Sequence, residues 1–177
     1  GSVHTLKLQG GLMSDAELLE PSIDPKTRKI SYRHLAAHND GGSRTVVKVR
    51  DTPEIVTDEP TERGGTNMGA TPVETVLAGL CGCDAVITHM VAEIIGFEYS
   101  GIDYECEAVI DPRGSRGVSG VRPYFETVNF TIRVKSNETP EKFAKLRKNV
   151  EHRCPVSNLI RDAGVEFNVE AVMVPAD

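Results

Sequence analysis

Two hydrophobic periods alternate along the chain, and the switches between them mark its elements. From Ile30 the pattern is β. Residues 30–36 and 45–49 are apolar runs on either side of Asn39-Asp40-Gly41-Gly42, a turn cluster of hairpin type. A short strand over residues 54–57 follows Thr52-Pro53. Residues 58–71 are polar and longer than a plain connector needs, a length at which loops often carry function. Gly64-Gly65 is followed by no Lys-Ser/Thr pair and shows no dinucleotide-binding spacing, so it is not a phosphate loop. Thr71-Pro72-Val73-Glu74 then opens a helix, with Thr71 at the N-cap, Pro72 at the first helical position and Glu74 as a capping-box acid. The spacing predicts a run to Ile95 that Gly96 stops. Apolar residues occupy most of its faces, which predicts a central, buried helix.

Residues 101–111 and 123–135 have strand character. In the second run Phe125, Val128, Phe130, Ile132 and Val134 alternate for most of its length, predicting a half-buried antiparallel strand. Thr139-Pro140-Glu141 opens a second helix with Phe143, Leu146 and Val150 on one face. Cys154-Pro155 interrupts it, a third helix runs to about Asp162, and residues 165–174 form a last strand. Before Ile30 the pattern is weak. Ser14-Asp15-Ala16-Glu17 has helix-start signals, and residues 3–28 as a whole are expected to form a strand or arm. The order is an N-terminal hairpin sheet, a long helix, a second antiparallel sheet with two further helices, and a final strand: an α+β fold.

Composition narrows the function classes. The 177 residues, 39% hydrophobic and 26% charged, suit one globular domain whose core needs neither disulfides nor metal. A net charge of −6 argues against general nucleic-acid or anionic-membrane binding, and 5% aromatics without Trp argues against a base-stacking platform. The most apolar stretch, 73–97, is interrupted by Glu74, Asp84, His89 and Glu93 and is not read as a membrane span. No secretory signal pattern opens the chain, and the expected location is cytoplasmic. Gly1-Ser2 has the form of a remnant left by protease cleavage of a tag. The expected division is 1–28 as remnant and N-terminal extension and 29–177 as a single domain.

Four cysteines, at 81, 83, 106 and 154, are the candidate chemistry, and in this setting free, metal-bound or reactive thiols are expected before disulfide staples. Pro155 fits a first helical position, which puts Cys154 at an N-cap, where N–H groups favour a thiolate; the competing reading is a small buried cap residue. His152 and Arg153 would add nearby donors. Cys83 lies deep in the long helix without help from that helix's own N-terminus. It is either an inert packed thiol or one activated by a cation from elsewhere in the fold. Cys81 points about 200° away from Cys83, which opposes a shared pocket and a disulfide between them. Cys106, between acidic residues on a strand, reads as structural. Cys81-x-Cys83 with His152-x-Cys154 would offer four soft ligands, but the spacing and helix geometry are wrong for zinc, so neither metal nor cofactor is expected. Gly79 and Gly82, with Ala78, make a small-residue face on which another helix of this chain or of a symmetry mate could lie.

The run Thr71-Pro72-x-Glu74 to Gly82-Cys83, followed by Cys154-Pro155-Val156-Ser157, resembles the OsmC/Ohr family of osmotically inducible and organic-hydroperoxide-resistance proteins over roughly residues 28–174. The resemblance implies an OsmC-like fold in an intertwined homodimer, with two long central helices packed together and active sites at the interface. It also implies thiol peroxidase activity, with Cys83 at the peroxidatic and Cys154 at the resolving position. Family peroxidases carry an acid directly after the motif's Pro that orients an activating Arg from the N-terminal hairpin region. Here that place is Val73, the acid is one residue later at Glu74, and Arg44 is the nearest candidate for the cation. Two functions remain open. One is a cysteine-based hydroperoxide reductase served by an external dithiol. The other is a catalytically silent dimer that binds an apolar small ligand.

Overall fold

A computed structural model describes residues 3–8, 19, 21 and 23–177; the helix start expected at 14–17 lies outside them. In chain order the elements are β1 (His4–Leu8), β2 (Ala36–His38), β3 (Thr45–Lys48), β4 (Ile55–Thr57), α1 (Pro72–Ile95), β5 (Gly101–Ile110), β6 (Phe125–Lys135), α2 (Pro140–Arg153), α3 (Pro155–Asp162) and β7 (Glu166–Val174). They fall into two compact units, one of residues 20–78 and one of residues 1–19 with 79–177.

In the smaller unit β2, β3 and β4 form an antiparallel meander. Asn39 builds its first turn: its Oδ1 accepts from the Gly41 N–H at 2.8 Å and its Nδ2 donates to the Arg44 carbonyl at 2.8 Å. The strand expected at 30–36 starts only at Ala36, where it pairs with Lys48. β3 ends at Lys48, just before the positive-φ turn residue Arg50, so nothing earlier than Ala36 has a ladder to join. Ile30, Tyr32 and Leu35 are exposed instead.

The loop after β4 is organised by a buried carboxylate. Asp58 accepts from Ser43 Oγ at 2.8 Å, the Glu59 N–H at 2.8 Å, the Met68 N–H at 3.1 Å, the Thr66 N–H at 3.4 Å and the Thr66 hydroxyl. The Thr66 hydroxyl is the largest of the influences that hold this carboxyl well below the ordinary range. The glycines of the loop have a packing reason. A Cβ at Gly65 would lie 1.9 Å from the Glu59 carbonyl oxygen, and one at Gly69 would lie 2.1 Å from that of Val56. A Thr61–Arg63 3-10 turn and a Thr57–Ala70 bridge complete a structured connector that delivers the chain to α1. There the capping box forms as the sequence predicts: the Glu74 N–H donates to Thr71 Oγ1 at 3.2 Å and the Thr71 N–H donates to Glu74 Oε1 at 2.9 Å. Gly96, at φ 66°, follows the last helical residue.

The larger unit is built on a four-stranded sheet of order β1-β7-β6-β5. β6 alternates as predicted, burying Val128, Phe130, Ile132 and Val134. The sheet is mixed, however, and not antiparallel throughout: β6 pairs antiparallel with β5 but parallel with β7. The two helices between β6 and β7 carry the chain back across one face, so β7 enters in the direction of β6, as a crossover requires. Alternation reported the single covered face and not the strand direction. The expected N-terminal strand is β1, antiparallel to β7 at the sheet edge. Phe143, Leu146, Val150 and Ile160 are the buried apolar residues of α2 and α3, and both helices lie against β7.

In this chain α1 is not buried all round. Leu80, Asp84, Thr88, Val91 and Ala92 form its buried stripe. Gly79, Gly82, Val86, Met90 and Ile94 fall on another face at helical spacing, and that face is open. By length and composition alone the helix is long and apolar enough to cross a membrane, with a mean hydropathy of 1.6 in its most apolar window. The fully buried Asp84 within it has a partner for its charge in Arg147, the arrangement of a helix docked on protein.

Two outcomes follow for the connector and the cap. Asp58→Asn should loosen residues 58–70, read as faster limited proteolysis there. Because the folded carboxyl titrates below its ordinary value of 3.8, its stabilisation is complete above that pH and is lost as pH falls through the lower folded value. The wild-type urea midpoint should therefore approach that of Asp58→Asn as pH drops from 6 towards 3. At the cap, Thr71→Ala should cost about 1 kcal/mol in urea unfolding, whereas Glu74→Gln, which keeps an acceptor at the capping-box position, should stay within about 0.5 kcal/mol.

Candidate active site

Cys83, on α1, and Cys154, at the α2–α3 junction, are brought together: their sulfurs are 3.1 Å apart and unbonded. Cys154 closes α2 and is also the N-cap of α3, with extended backbone at φ −73°, ψ 110°. Pro155 occupies the first helical position of α3, and the Ser157 N–H donates to Cys154 Sγ at 3.5 Å. The N-cap reading of the sequence holds at this residue. Cys83 receives a hydrogen bond from the Val156 backbone. The first turn of α3 therefore serves both sulfurs, and Cys83 obtains from a neighbouring helix the N–H donor that its own helix cannot give.

That donor does not prevail. Burial pushes the Cys83 thiol up, to about 11; the Val156 N–H works the other way, and Cys154 and the Asp84 carboxylate add to the rise. None of these influences is a cation. Cys81 is also pushed up, by burial and then by Asp84. Cys106 is pushed up to about 11 by burial and then by Cys81, so the thiol on α1 bears on the one on β5.

The expected neighbours of Cys154 go elsewhere. His152 is exposed and its carbonyl accepts from Asn158 Nδ2 at 3.1 Å, while Arg153 donates to the Leu19 carbonyl. Neither of these bonds reaches a sulfur. Val73 is exposed, Glu74 is engaged in the cap, and Arg44 is exposed beside the hairpin turn. Among the described residues no group of three or more His, Cys, Asp or Glu side chains could hold a metal ion.

Sequence reasoning missed the polar cluster next to the sulfurs. Asp84, the residue after Cys83, is fully buried. It accepts from Arg147 Nη2 at 2.7 Å and Nη1 at 3.2 Å, from Tyr104 Oη at 2.6 Å and from Thr88 Oγ1 at 3.2 Å. Burial, then the Asp84 carboxylate, raises the Tyr104 phenol. One turn beyond Arg147, Glu151 is buried with both oxygens lacking hydrogen bonds and Arg161 Nη2 at 3.7 Å; burial raises its carboxyl. The signal was present: Asp84 interrupts the stripe Leu80–Thr88–Val91, and Arg147 stands between Leu146 and Val150 on the apolar face of α2. A charge at a core position requires an opposite charge at another.

No curated protein matches the chain by sequence. Among solved structures it is similar to an OsmC-like protein from Mycoplasma pneumoniae (17% identity, 81% of this chain and 98% of that one, TM-score 0.70). It is also similar to an organic hydroperoxide resistance protein from Legionella pneumophila (19% identity, 84% and 100%, TM-score 0.61). A third similar structure is an organic hydroperoxide resistance protein from Elizabethkingia anophelis (18% identity, 85% and 100%, TM-score 0.60). At these identities the likeness is one of fold. The family model described as OsmC-like protein matches residues 65–170, more than half of the sequence and a span that holds both facing cysteines; the chain belongs to the OsmC-like protein family.

Proposed function

We propose that the protein is a thiol-dependent peroxidase that reduces organic hydroperoxides, with Cys83 as the peroxidatic and Cys154 as the resolving cysteine. The observation that supports this reading is the 3.1 Å approach of the two sulfurs from different helices. The Cys83 thiolate attacks the distal oxygen of the hydroperoxide. The O–O bond breaks, an alcohol leaves after taking up a proton, and Cys83 becomes a sulfenic acid. The Cys154 sulfur then attacks the Cys83 sulfur. An S–S bond forms, the S–O bond breaks, and the thiol proton leaves with the hydroxyl group as water. An external dithiol returns the pair to the reduced state by exchange. The organic hydroperoxide resistance proteins that share the fold support a role in peroxide stress.

The reading includes a cytoplasmic homodimer of a 29–177 domain, joined along the open Gly79/Gly82/Val86/Met90/Ile94 face of α1, without nucleic-acid or membrane partners. It also requires a cation beside Cys83. A second reading, a silent dimer that binds an apolar small ligand, draws on the raised Cys83 thiol and on Val73 at the family's acid position.

One equivalent of cumene hydroperoxide should give a Cys83–Cys154 bridge in peptide mass spectrometry, and Cys83→Ser should abolish turnover. A bridge through Cys81 or Cys106 instead would overturn the assignment. The thiolate itself separates the two readings. Absorbance at 240 nm, wild type minus Cys83→Ser, should show the assembled protein titrating below the free thiol value. Titration at or above the free value of about 8.5 would favour the silent dimer.

A further inference from the structure

We propose that Asp84 is a positioning residue for the Cys83–Cys154 couple: locked to Arg147 of α2 and Tyr104 of β5, it holds α1 in the placement at which the Cys83 sulfur meets the Cys154 sulfur. The inference deepens the proposed reading and rests on it only in that the two cysteines form a redox couple.

The anchoring comes from two elements, with a brace inside α1 itself. Arg147 holds both carboxylate oxygens of Asp84 from α2, at 2.7 and 3.2 Å, Tyr104 reaches one of them from β5 at 2.6 Å, and Thr88 braces it from the next turn of α1 at 3.2 Å. Arg147 Nη1 also donates to Thr88 Oγ1 at 3.2 Å, which ties the brace to the same guanidinium. Hydrogen bonds from two other elements, α2 and β5, converging on one carboxylate restrict sliding as well as rotation of α1. Neighbouring helical residues differ by about 1.5 Å in height and 100° in direction, so fixing Asp84 fixes the Cα–Cβ direction of Cys83.

The far end is held in the same way. Arg147 and Cys154 are separated by about two turns of α2, so they share a face, and both are fully buried. The ion pair and the sulfur pair are thus two links between α1 and the same face of α2. The second can close only if the first sets the spacing. From 3.1 Å the sulfurs must approach by about 1 Å to reach bonding distance, so a small error in the placement of α1 is felt directly.

Stability gives a weaker account of the pair. Buried ion pairs are often no better for stability than apolar residues of the same volume. What they add is direction, because a guanidinium fork accepts a carboxylate in few geometries. An apolar contact at this place would hold the helices together while leaving α1 free to slide.

The test is the thiol–disulfide equilibrium with dithiothreitol. Oxidised dithiothreitol takes two electrons and two protons from the Cys83 and Cys154 thiols; their S–H bonds break, the protein S–S bond forms, and reduced dithiothreitol is released. In a protein that stays folded this constant reports the placement of the two sulfurs, and a mere loss of global stability leaves it unchanged. The double variant Asp84→Leu/Arg147→Met, which removes the charges and keeps the volume, should remain folded by circular dichroism. Its constant should fall at least tenfold, about 30 mV for this two-electron couple. Tyr104→Phe loses one bond to Asp84 while its ring remains stacked on Phe130, and it should shift the constant roughly threefold in the same direction; it decides the matter alone if the double variant does not fold. Constants within twofold of wild type in the folded variants overturn the positioning role and leave the couple intact. A wild-type protein that forms no Cys83–Cys154 disulfide at any dithiothreitol ratio overturns the proposed function, and the positioning role with it.

Discussion

A carboxylate at zero exposure must be answered by an opposite charge, and in this protein the answer fixes how α1 meets α2. Asp84 and Arg147 both have fully buried side chains, with 2.7 Å between their charged atoms. Breaking such a pair by removing one partner costs roughly 3–5 kcal/mol, because the other charge stays buried and unpaired. That is a large share of a domain's net stability of about 5–15 kcal/mol. The helix that carries Cys83 therefore has one well-defined seat. Tyr104, stacked on Phe130 at the centre of the sheet, carries the same constraint into β5 and β6.

The electrostatics around the sulfurs set burial against N–H donors. The first turn of α3 offers the Ser157 N–H to Cys154 and the Val156 N–H to Cys83, the arrangement that favours sulfur anions at a helix start. For Cys83 the loss of solvent outweighs this, and the neighbouring Asp84 carboxylate works in the same direction as burial. The charge that seats the helix therefore opposes the thiolate beside it. One guanidinium at about 4 Å contributes roughly 4 kcal/mol at an effective dielectric of 20, the equivalent of about three pKa units. A single cation is enough to reverse the balance, so the state of Cys83 turns on what stands next to it and not on its own helix.

Helix boundaries were legible almost residue by residue. Thr71, Pro72 and Gly96 bound α1, Thr139 caps α2 through the Lys142 N–H, and Cys154 caps α3. These signals lie within a few residues of what they cause, and the cap chemistry is local. Pairings between distant segments were less legible. The parallel β6–β7 ladder depends on where two intervening helices put the chain, and the start of β2 depends on how far β3 runs. The facing of Cys83 and Cys154 came from the family resemblance and not from any spacing, because 71 residues separate them. Asp84–Arg147 was readable in principle from charges in two apolar stripes, but each stripe alone gives no partner. The near-uniform hydrophobicity of α1 suggested burial on all sides, whereas among the described residues the buried stripe is the one through Leu80, Asp84 and Thr88.

That hydrophobicity acquires a meaning once the two faces are separated. The stripe through Asp84 is occupied by this chain, and the stripe through Gly79, Gly82, Val86 and Met90 meets solvent, with no other described part of the chain within 4 Å of where a Cβ on either glycine would stand. Cys83 lies between Gly82 and Asp84, about 100° from each around the helix axis, and it is half-buried. Whatever covers the open stripe borders on the sulfur. An apolar cover alone would deepen its burial and hold the thiol neutral, whereas a cover that carries a guanidinium to that edge would favour the thiolate. Any cover on that stripe and the charge state of the thiol are therefore linked by the geometry of one helix. The open apolar face and the half-buried thiol are adjacent positions on it.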